Sequence, residues 1–272
     1  MLHELIVQGV KTPVIDEGSG QPTLFLHGVP DSGEVWRGVI DRLKGQFRCI
    51  APDLPGMGHS ITPADFDYSL ANRGQWVDDL LKALDIREPI NIIGHDHGGP
   101  FAITWAIQHE DRLRRLVVTD TLYHRDYYWH FWARLWRTPV LGELILAMQA
   151  LPLGYILFEF EMRRGSKGLT REHVRQTFKQ IAPANVGNTL RIYRTSDSQV
   201  FSGWDDRFYA LMKRVPTLAL WGEKDPYIGM PFPRRLQQQG AQLVSFPDAG
   251  HWLPVEKAAE FAEQLQRFFT TP

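Results

Sequence analysis

The chain has 272 residues, 43% of them hydrophobic and 22% charged, which is the balance of an ordinary globular protein. Its formal net charge of −1 gives no electrostatic footprint for nucleic acid or an anionic membrane, so neither is expected as a partner. The single cysteine, Cys49, excludes an internal disulfide, and no apolar run approaches the roughly 20 residues that span a bilayer. The N-terminus lacks a basic stretch followed by an apolar one, so we expect a cytoplasmic protein.

Short apolar segments alternate with helical segments along the chain, which predicts a mainly parallel sheet with helices on both faces. The first two strands are expected to form an antiparallel pair. Eight segments are predicted as strands: 5–8, 13–16, 23–26, 47–51, 90–93, 116–119, 217–221 and 242–246. Helices are predicted between them, for example at 70–84 and 258–269, because their apolar residues recur at helical spacing.

The alternation stops between about Leu122 and Asp206, where helical segments rich in aromatic residues follow one another. We predict a helical cap at 122–206, inserted into a core domain formed by 1–121 and 207–272. Most of these aromatic residues are expected to pack in the cap itself. A cap over the carboxyl ends of the strands would also form the wall of a binding site there.

One glycine-rich turn carries the most specific chemical signal. The segment Ile93–Gly99, with the sequence IGHDHGG, joins a predicted strand to a helix predicted to start at Pro100. It has the nucleophile-elbow pattern G-x-S-x-G with Asp96 in the position of the serine. A carboxylate attacks carbon without the help of a base and forms an ester that water must then cleave. This favours displacement at a saturated carbon, although an aspartate that merely caps the helix is the structural alternative.

Three further motifs follow predicted strands at their carboxyl ends, where an open α/β sheet binds its ligands. The first is His27-Gly28-Val29-Pro30, in which the backbone N–H of Val29, together with that of His97, can form an oxyanion hole. The second ends at Asp225 after the seventh strand, and the third contains His251 after the eighth. We expect His251 to activate water against the ester, with Asp225 holding its tautomer.

These motifs resemble the α/β-hydrolase superfamily, and specifically its aspartate-nucleophile branch of epoxide hydrolases, haloalkane dehalogenases and haloacetate dehalogenases. The resemblance runs from about Gly18 to the C-terminus and includes Asp53–Ser60, with the sequence DLPGMGHS. It implies the α/β-hydrolase fold, with a mostly parallel eight-stranded sheet, helices on both faces, an inserted cap and no cofactor. Some dehalogenases of the branch place their acid after the sixth strand, where this chain has Asp120. We prefer Asp225 because its motif leads straight into the strand-end turn.

The departures from each subfamily guide the choice of reaction. Haloalkane dehalogenases generally bind the halide with a tryptophan after the nucleophile and often an asparagine in the H-G-N-P loop, where this chain has His97 and Val29. Haloacetate dehalogenases bind the substrate carboxylate with arginines after the nucleophile, and none is present here. Epoxide hydrolases protonate the epoxide oxygen with cap phenols, and Tyr193-Arg194 resembles their Tyr-Arg motif. The tryptophan after the nucleophile that is usual in epoxide hydrolases is also missing. The second phenol is left open among Tyr123, Tyr127, Tyr128 and Tyr155.

Three functional hypotheses follow. The leading one is a cofactor-free epoxide hydrolase in which Asp96 attacks, Tyr193 donates a proton and His251 activates water, acting on a small apolar organic substrate. The second is a dehalogenase with an atypical halide site, and the third is a non-catalytic relative that binds a small ligand. The side chains expected to bind the substrate are Trp132, Trp136, Tyr123 and Tyr127. The sequence leaves the oligomeric state open.

Overall fold

A computed structural model describes residues 2–149, 151–180 and 183–271 of the chain. Its strands form one eight-stranded sheet in the order β1-β2-β4-β3-β5-β6-β7-β8. The first strand pairs antiparallel with the second and the second antiparallel with the fourth, while all later pairs are parallel. The strands are β1 (Leu2–Val7), β2 (Val10–Glu17), β3 (Gln21–Leu26), β4 (Phe47–Pro52), β5 (Ile90–His95), β6 (Leu113–Thr119), β7 (Thr217–Gly222) and β8 (Gln242–Phe246).

Helices cover both faces of this sheet. Those in the described residues are α1 (Arg37–Leu43), α2 (Leu70–Ala83), α3 (Gly98–Gln108), α4 (Phe131–Arg137), α5 (Leu141–Gln149), α6 (Pro152–Gly165), α7 (Arg171–Gln180), α8 (Pro183–Thr195), α9 (Trp204–Met212), α10 (Pro231–Gln238), α11 (Leu253–Glu256) and α12 (Ala258–Thr270). In the part of the chain that the structure describes, none of them is long and apolar enough to cross a bilayer. The predicted α/β-hydrolase fold is confirmed.

The central strands are mostly apolar because they are buried on both faces. Every residue of β5 and of β7 is buried, as expected for parallel strands covered by helices. One hydrophobic cluster packs α2 and α3 on one face of the sheet, with Trp76 and Phe101 in edge contact. A second cluster packs α1 and α12 on the other face, around Trp36 and Phe261.

The observed bounds differ from the predicted ones mainly at element ends. The helix after the elbow begins at Gly98 and not at Pro100, since proline is tolerated in a first helical turn, where its missing N–H has no partner. Between β6 and β7 the described residues are helical or irregular and contribute no strand to the sheet, as the cap hypothesis requires. A cap boundary at 206/207 would fall inside α9.

Candidate active site

The turn between β5 and α3 places Asp96 in a strained backbone conformation. Its φ of +47° lies in the left-handed region, which a non-glycine residue adopts only when its surroundings enforce it. The neighbouring glycines make this possible, because a Cβ on Gly98 would collide with the carbonyl oxygen of Leu26. The turn therefore presents the Asp96 side chain above the carboxyl ends of β3 and β5.

Backbone N–H groups hold the Asp96 carboxylate from one side. The N–H of Val29 donates to Asp96 Oδ2 at 2.9 Å, and the N–H of His97 also bonds the carboxylate. Burial raises the pKa of Asp96 to about 6, while the charge of His251 and these two N–H groups act in the opposite direction. Asp96 is therefore ionised at neutral pH, with Oδ1 left free to react.

His251 lies on the other side of Asp96 and contacts Asp225. Its Nε2 is 4.0 Å from Asp96 Oδ1, and its Nδ1 is 2.9 Å from Asp225 Oδ2. The other oxygen of Asp225 accepts the backbone N–H groups of Tyr227 and Ile228 at 2.7 and 3.1 Å, which fixes its orientation. Burial lowers the pKa of His251, but the charges of Asp225 and Asp96 outweigh it and raise the pKa to about 9. His251 thus lies between the two carboxylates, hydrogen-bonded to Asp225 and close to Asp96.

Asp120 lies beside this set without bonding His251. One oxygen accepts the N–H of Gly222 at 3.0 Å and the other accepts the hydroxyl of Thr119 at 2.9 Å. Burial, followed by the charge of Asp225, raises the pKa of Asp120 well above its ordinary value. Of the two candidate acids, Asp225 is the one in contact with the histidine.

A cavity of about 100 Å³ opens above Asp96 and His251, and its walls come mainly from residues 122–206. Tyr193 of α8 lines it, and no partner for its hydroxyl is found among the described residues. Burial, and then the charge of Asp96, raises the pKa of this phenol well above its ordinary value. Tyr193 therefore keeps its proton near the nucleophile. Trp132, Trp136 and Tyr127 also line the cavity, although the Tyr127 hydroxyl donates weakly to the carbonyl of Tyr227 at 3.3 Å.

His130 adds a second donor to the same wall. It caps the N-terminus of α4, where its Nδ1 accepts the N–H of Ala133 at 3.4 Å. Burial, and then the charge of His251, lowers the pKa of His130 to about 3, so the imidazole is neutral. Because Nδ1 is an acceptor, the proton must be on Nε2, for which the described residues offer no acceptor. The ring packs on Tyr227 at 4.9 Å between ring centroids.

Comparison with known proteins agrees with the fold. The profile of the alpha/beta hydrolase fold family matches residues 21–144. The cis-3-alkyl-4-alkyloxetan-2-one decarboxylase of Shewanella oneidensis is 29% identical over 98% of this chain and 88% of its own length. A haloalkane dehalogenase of Agrobacterium fabrum is 40% identical over 41% of this chain and 36% of its own. The chain belongs to the α/β-hydrolase family.

A haloalkane dehalogenase of Sphingobium indicum is 31% identical over 56% of this chain and 55% of its own length. The solved structure of the epoxide hydrolase CorEH superposes with a TM-score of 0.74 at 22% identity, over 99% of this chain and 98% of that one. At this identity the superposition shows the shared fold.

Three of the tyrosines predicted to face the substrate of this α/β-hydrolase do not line the cavity. Tyr123 is a correction to the predicted substrate-binding set, because its side chain is buried beside α3 and its hydroxyl bonds Thr104 at 2.8 Å. Tyr128 is 73% exposed on the surface, and Tyr155 packs on Phe178. These positions follow from the packing of the cap helices, which local sequence does not specify.

Three further residues line the cavity although the sequence pattern did not single them out as site residues: His130, Trp129 and Tyr227. Trp129 stacks on His97 and contacts Tyr193, while Tyr227 lies edge-on to His251 at 5.0 Å. A signal for Tyr227 was present, because it lies two residues after Asp225. His130 lies in the aromatic run Tyr127–Trp132, where nothing separates it from residues that only pack.

Proposed function

We propose that this α/β-hydrolase opens epoxides through an ester on Asp96 and releases a diol. Residues 122–206 act as the cap that supplies the proton donors. The observation that carries the proposal is the Tyr193 hydroxyl, which has no partner among the described residues, in a cavity that it shares with Asp96 and His251. An unpaired phenol beside a buried carboxylate is suited to a substrate oxygen that gains negative charge.

In the first step, Oδ1 of Asp96 attacks a carbon of the epoxide and the bond from that carbon to the ring oxygen breaks. The ring oxygen takes the proton of Tyr193, and we assign the second hydrogen bond to Nε2 of His130. The resulting phenolate is reprotonated from water. Oδ2 stays bonded to the N–H of Val29, so it becomes the carbonyl oxygen of the ester, and we assign the N–H of His97 to the same oxygen.

In the second step, His251 removes a proton from water, which attacks Cγ of the ester. The oxyanion forms on Oδ2, which the N–H of Val29 already bonds and to which we assign the N–H of His97. The bond from Cγ to Oδ1 then breaks, and the diol leaves with Oδ1 after His251 returns the proton. Formation of the ester removes the charge of Asp96, which is one cause of the raised pKa of His251. The pKa of His251 therefore falls, and the imidazolium releases its proton to solvent, which makes the neutral ring available to accept a proton from water.

The test is turnover and trapping on a panel of an aliphatic epoxide, a haloalkane of matched length and a cis-dialkyl oxetan-2-one. We expect diol formation from the epoxide and, with His251→Gln, a stable mass increase on the Asp96 peptide. Asp96→Asn should show neither result, and it serves as the matched control because it preserves shape. Turnover of the other two substrates without any diol would overturn the proposal, and so would normal turnover by Asp96→Asn with deamidation excluded.

A dehalogenase is the second candidate, and one observation favours it. The indole N–H groups of Trp129 and Trp136, both in the wall of the cavity, are buried and have no acceptor among the described residues. Such donors suit a halide, which needs only weak N–H bonds and a dry pocket. Halide release from the haloalkane in the same panel separates this candidate from the first. Binding without turnover would indicate the non-catalytic relative.

A further inference from the structure

The cap carries an unusual concentration of exposed apolar side chains. Of the thirteen large hydrophobic side chains exposed in the described residues, ten lie between 128 and 160. We call these ten the apolar cap face: Tyr128, Phe131, Val140, Leu141, Leu144, Met148, Leu151, Ile156, Leu157 and Phe160. Between 138 and 158 the chain has a single charged residue, Glu143. Exposed apolar side chains concentrated on helices that pack together indicate an interaction site.

Two packed helices form most of this face and also reach the cavity. On α5 the exposed residues recur at Leu141, Leu144 and Met148, a helical stripe, while Leu146 on the buried side lines the cavity. On α6, Phe158 lines the cavity, and the neighbouring Leu157 both lines it and is 49% exposed. The apolar cap face is therefore continuous with the mouth of the candidate active site.

The charges of the cap indicate what covers this face. Residues 122–206 contain eleven basic and eight acidic residues, whereas the rest of the chain has nineteen and twenty-three. Each of the eight carboxylates is in an ion pair with an arginine: Asp126, Glu143, Glu159, Glu161, Glu172, Asp197, Asp205 and Asp206. Arg134, Arg163 and Lys167 have no carboxylate partner among the described residues.

Five cap cations lack a carboxylate partner among the described residues, and three of them lie next to the apolar face; the other two, Lys179 and Arg191, lie on α7 and α8. The Arg134 guanidinium stands over the ring of Tyr128 at 5.2 Å, Arg163 follows Phe160 by one turn of α6, and Lys167 is exposed just beyond that helix. Apolar helix faces lined by basic residues bind the interface of anionic bilayers. We propose that the apolar cap face docks on an anionic phospholipid membrane, with Arg134, Arg163 and Lys167 meeting the headgroups.

A second copy of the chain fits this face less well. A twofold dimer would place the same surface opposite itself, so the unpaired cations around the face would approach each other while no free cap carboxylate meets them. The proposal revises the expectation of no membrane partner, which rested on the net charge of the whole chain. The net charge is the sum of an excess of basic residues in the cap and an excess of acidic residues in the rest of the chain.

Docking would bring the mouth at Leu157 to the lipid. A substrate whose aliphatic chain is longer than the cavity would keep the rest of that chain among the acyl chains of the bilayer. This consequence for substrate rests on the proposed function, whereas docking itself does not. Vesicle binding is therefore measured without substrate, and its failure is distinguishable from failure of the epoxide chemistry.

The experiment is co-sedimentation of the full chain with vesicles of equal parts phosphatidylglycerol and phosphatidylcholine, and with pure phosphatidylcholine vesicles. We expect binding to the anionic vesicles that weakens with salt. The triple variant Leu144→Gln/Ile156→Gln/Phe160→Gln should bind at least about tenfold more weakly. The matched control, Ile6→Gln/Ile61→Gln, replaces two similarly exposed isoleucines that lie outside residues 122–206. It should bind like the unmodified protein.

A charge variant, Arg134→Gln/Lys167→Gln, tests the second part of the proposal without touching the apolar residues. It should lose the salt-dependent part of the binding, and its melting temperature should match that of the unmodified protein. Absence of binding by the unmodified protein overturns the proposal. So does light scattering that shows a concentration-dependent dimer abolished by the triple variant, because the face would then join two copies.

Discussion

Replacing Tyr193 by phenylalanine separates epoxide opening from halide displacement. An alkoxide is a much stronger base than a halide ion, so opening an epoxide at neutral pH requires a proton donor. Tyr193 lines the cavity, and burial and Asp96 keep its phenol protonated. Loss of a general acid costs about a hundredfold or more in rate, or ~2.7 kcal/mol of transition-state stabilisation. Halide release should be almost unchanged.

The substitution should leave the fold intact, which makes the result interpretable. The Tyr193 hydroxyl has no partner among the described residues, so its removal leaves no buried group unpaired, and the free energy of unfolding should change by less than about 0.5 kcal/mol. Tyr123→Phe is the matched control. It removes a hydroxyl that bonds Thr104 outside the cavity, and should cost about 1 kcal/mol of stability with no loss of activity.

The assay is rapid-quench mass spectrometry of the Asp96 peptide, with an epoxide and a haloalkane of matched length. The account expects Tyr193→Phe to slow alkylation by the epoxide alone. Unchanged epoxide opening in Tyr193→Phe would refute the role given to the phenol. Alkylation of the unmodified protein by the haloalkane alone would replace the epoxide hydrolase with the dehalogenase.

The other predictions concern the surroundings of Asp96. Asp225→Asn should slow ester hydrolysis by roughly a thousandfold or more, because Asp225 bonds His251. Asp120→Asn should slow it less than about tenfold, because Asp120 bonds Gly222 and Thr119 instead, and the reverse ranking in single-turnover kinetics would contradict this assignment. The rate of Asp96 alkylation should rise with pH through about 6 and then level off, since burial raises the pKa of Asp96 and only the ionised form attacks; a flat pH profile in rapid-quench experiments would contradict this. His130→Leu should slow epoxide opening about tenfold and, because it removes the cap of α4, lower the free energy of unfolding by about 1 kcal/mol; an unaltered rate would remove His130 from the donor pair. Gly28→Ala should abolish alkylation in a folded protein, because a Cβ there would collide with the Asp96 side chain; circular dichroism provides the folding control.

The parts of the molecule that sequence predicts well depend on local pattern. The elbow around Asp96 is set by Gly94 and Gly98, and the loops after β3, β7 and β8 by turn residues directly after apolar strands. Since parallel strands bring their carboxyl ends to one edge of the sheet, the meeting of Asp96, Asp225 and His251 follows from topology. The β1 strand begins at Leu2, before the predicted start, because pairing with β2 stabilises polar residues that hydropathy does not register.

The helical segment between β6 and β7 is predicted less well because its side chains are oriented by helix packing. Tyr123 and Tyr127 are four residues apart, yet one is buried against Thr104 and the other lines the cavity. His130 faces the cavity because it caps α4, and an aromatic run contains no marker for such a cap. The choice between Asp225 and Asp120 likewise depended on distance, since both follow strands at the same edge of the sheet.

The central claim is that Asp96 itself becomes esterified and is then hydrolysed at its own Cγ. A single turnover of excess enzyme with an epoxide in ¹⁸O-labelled water tests this directly. The account predicts that the label enters the Asp96 carboxylate and is absent from the diol, because the diol leaves with Oδ1 of the enzyme. Label in the diol and none in the Asp96 peptide would show that water attacks the substrate directly, and would contradict the covalent mechanism.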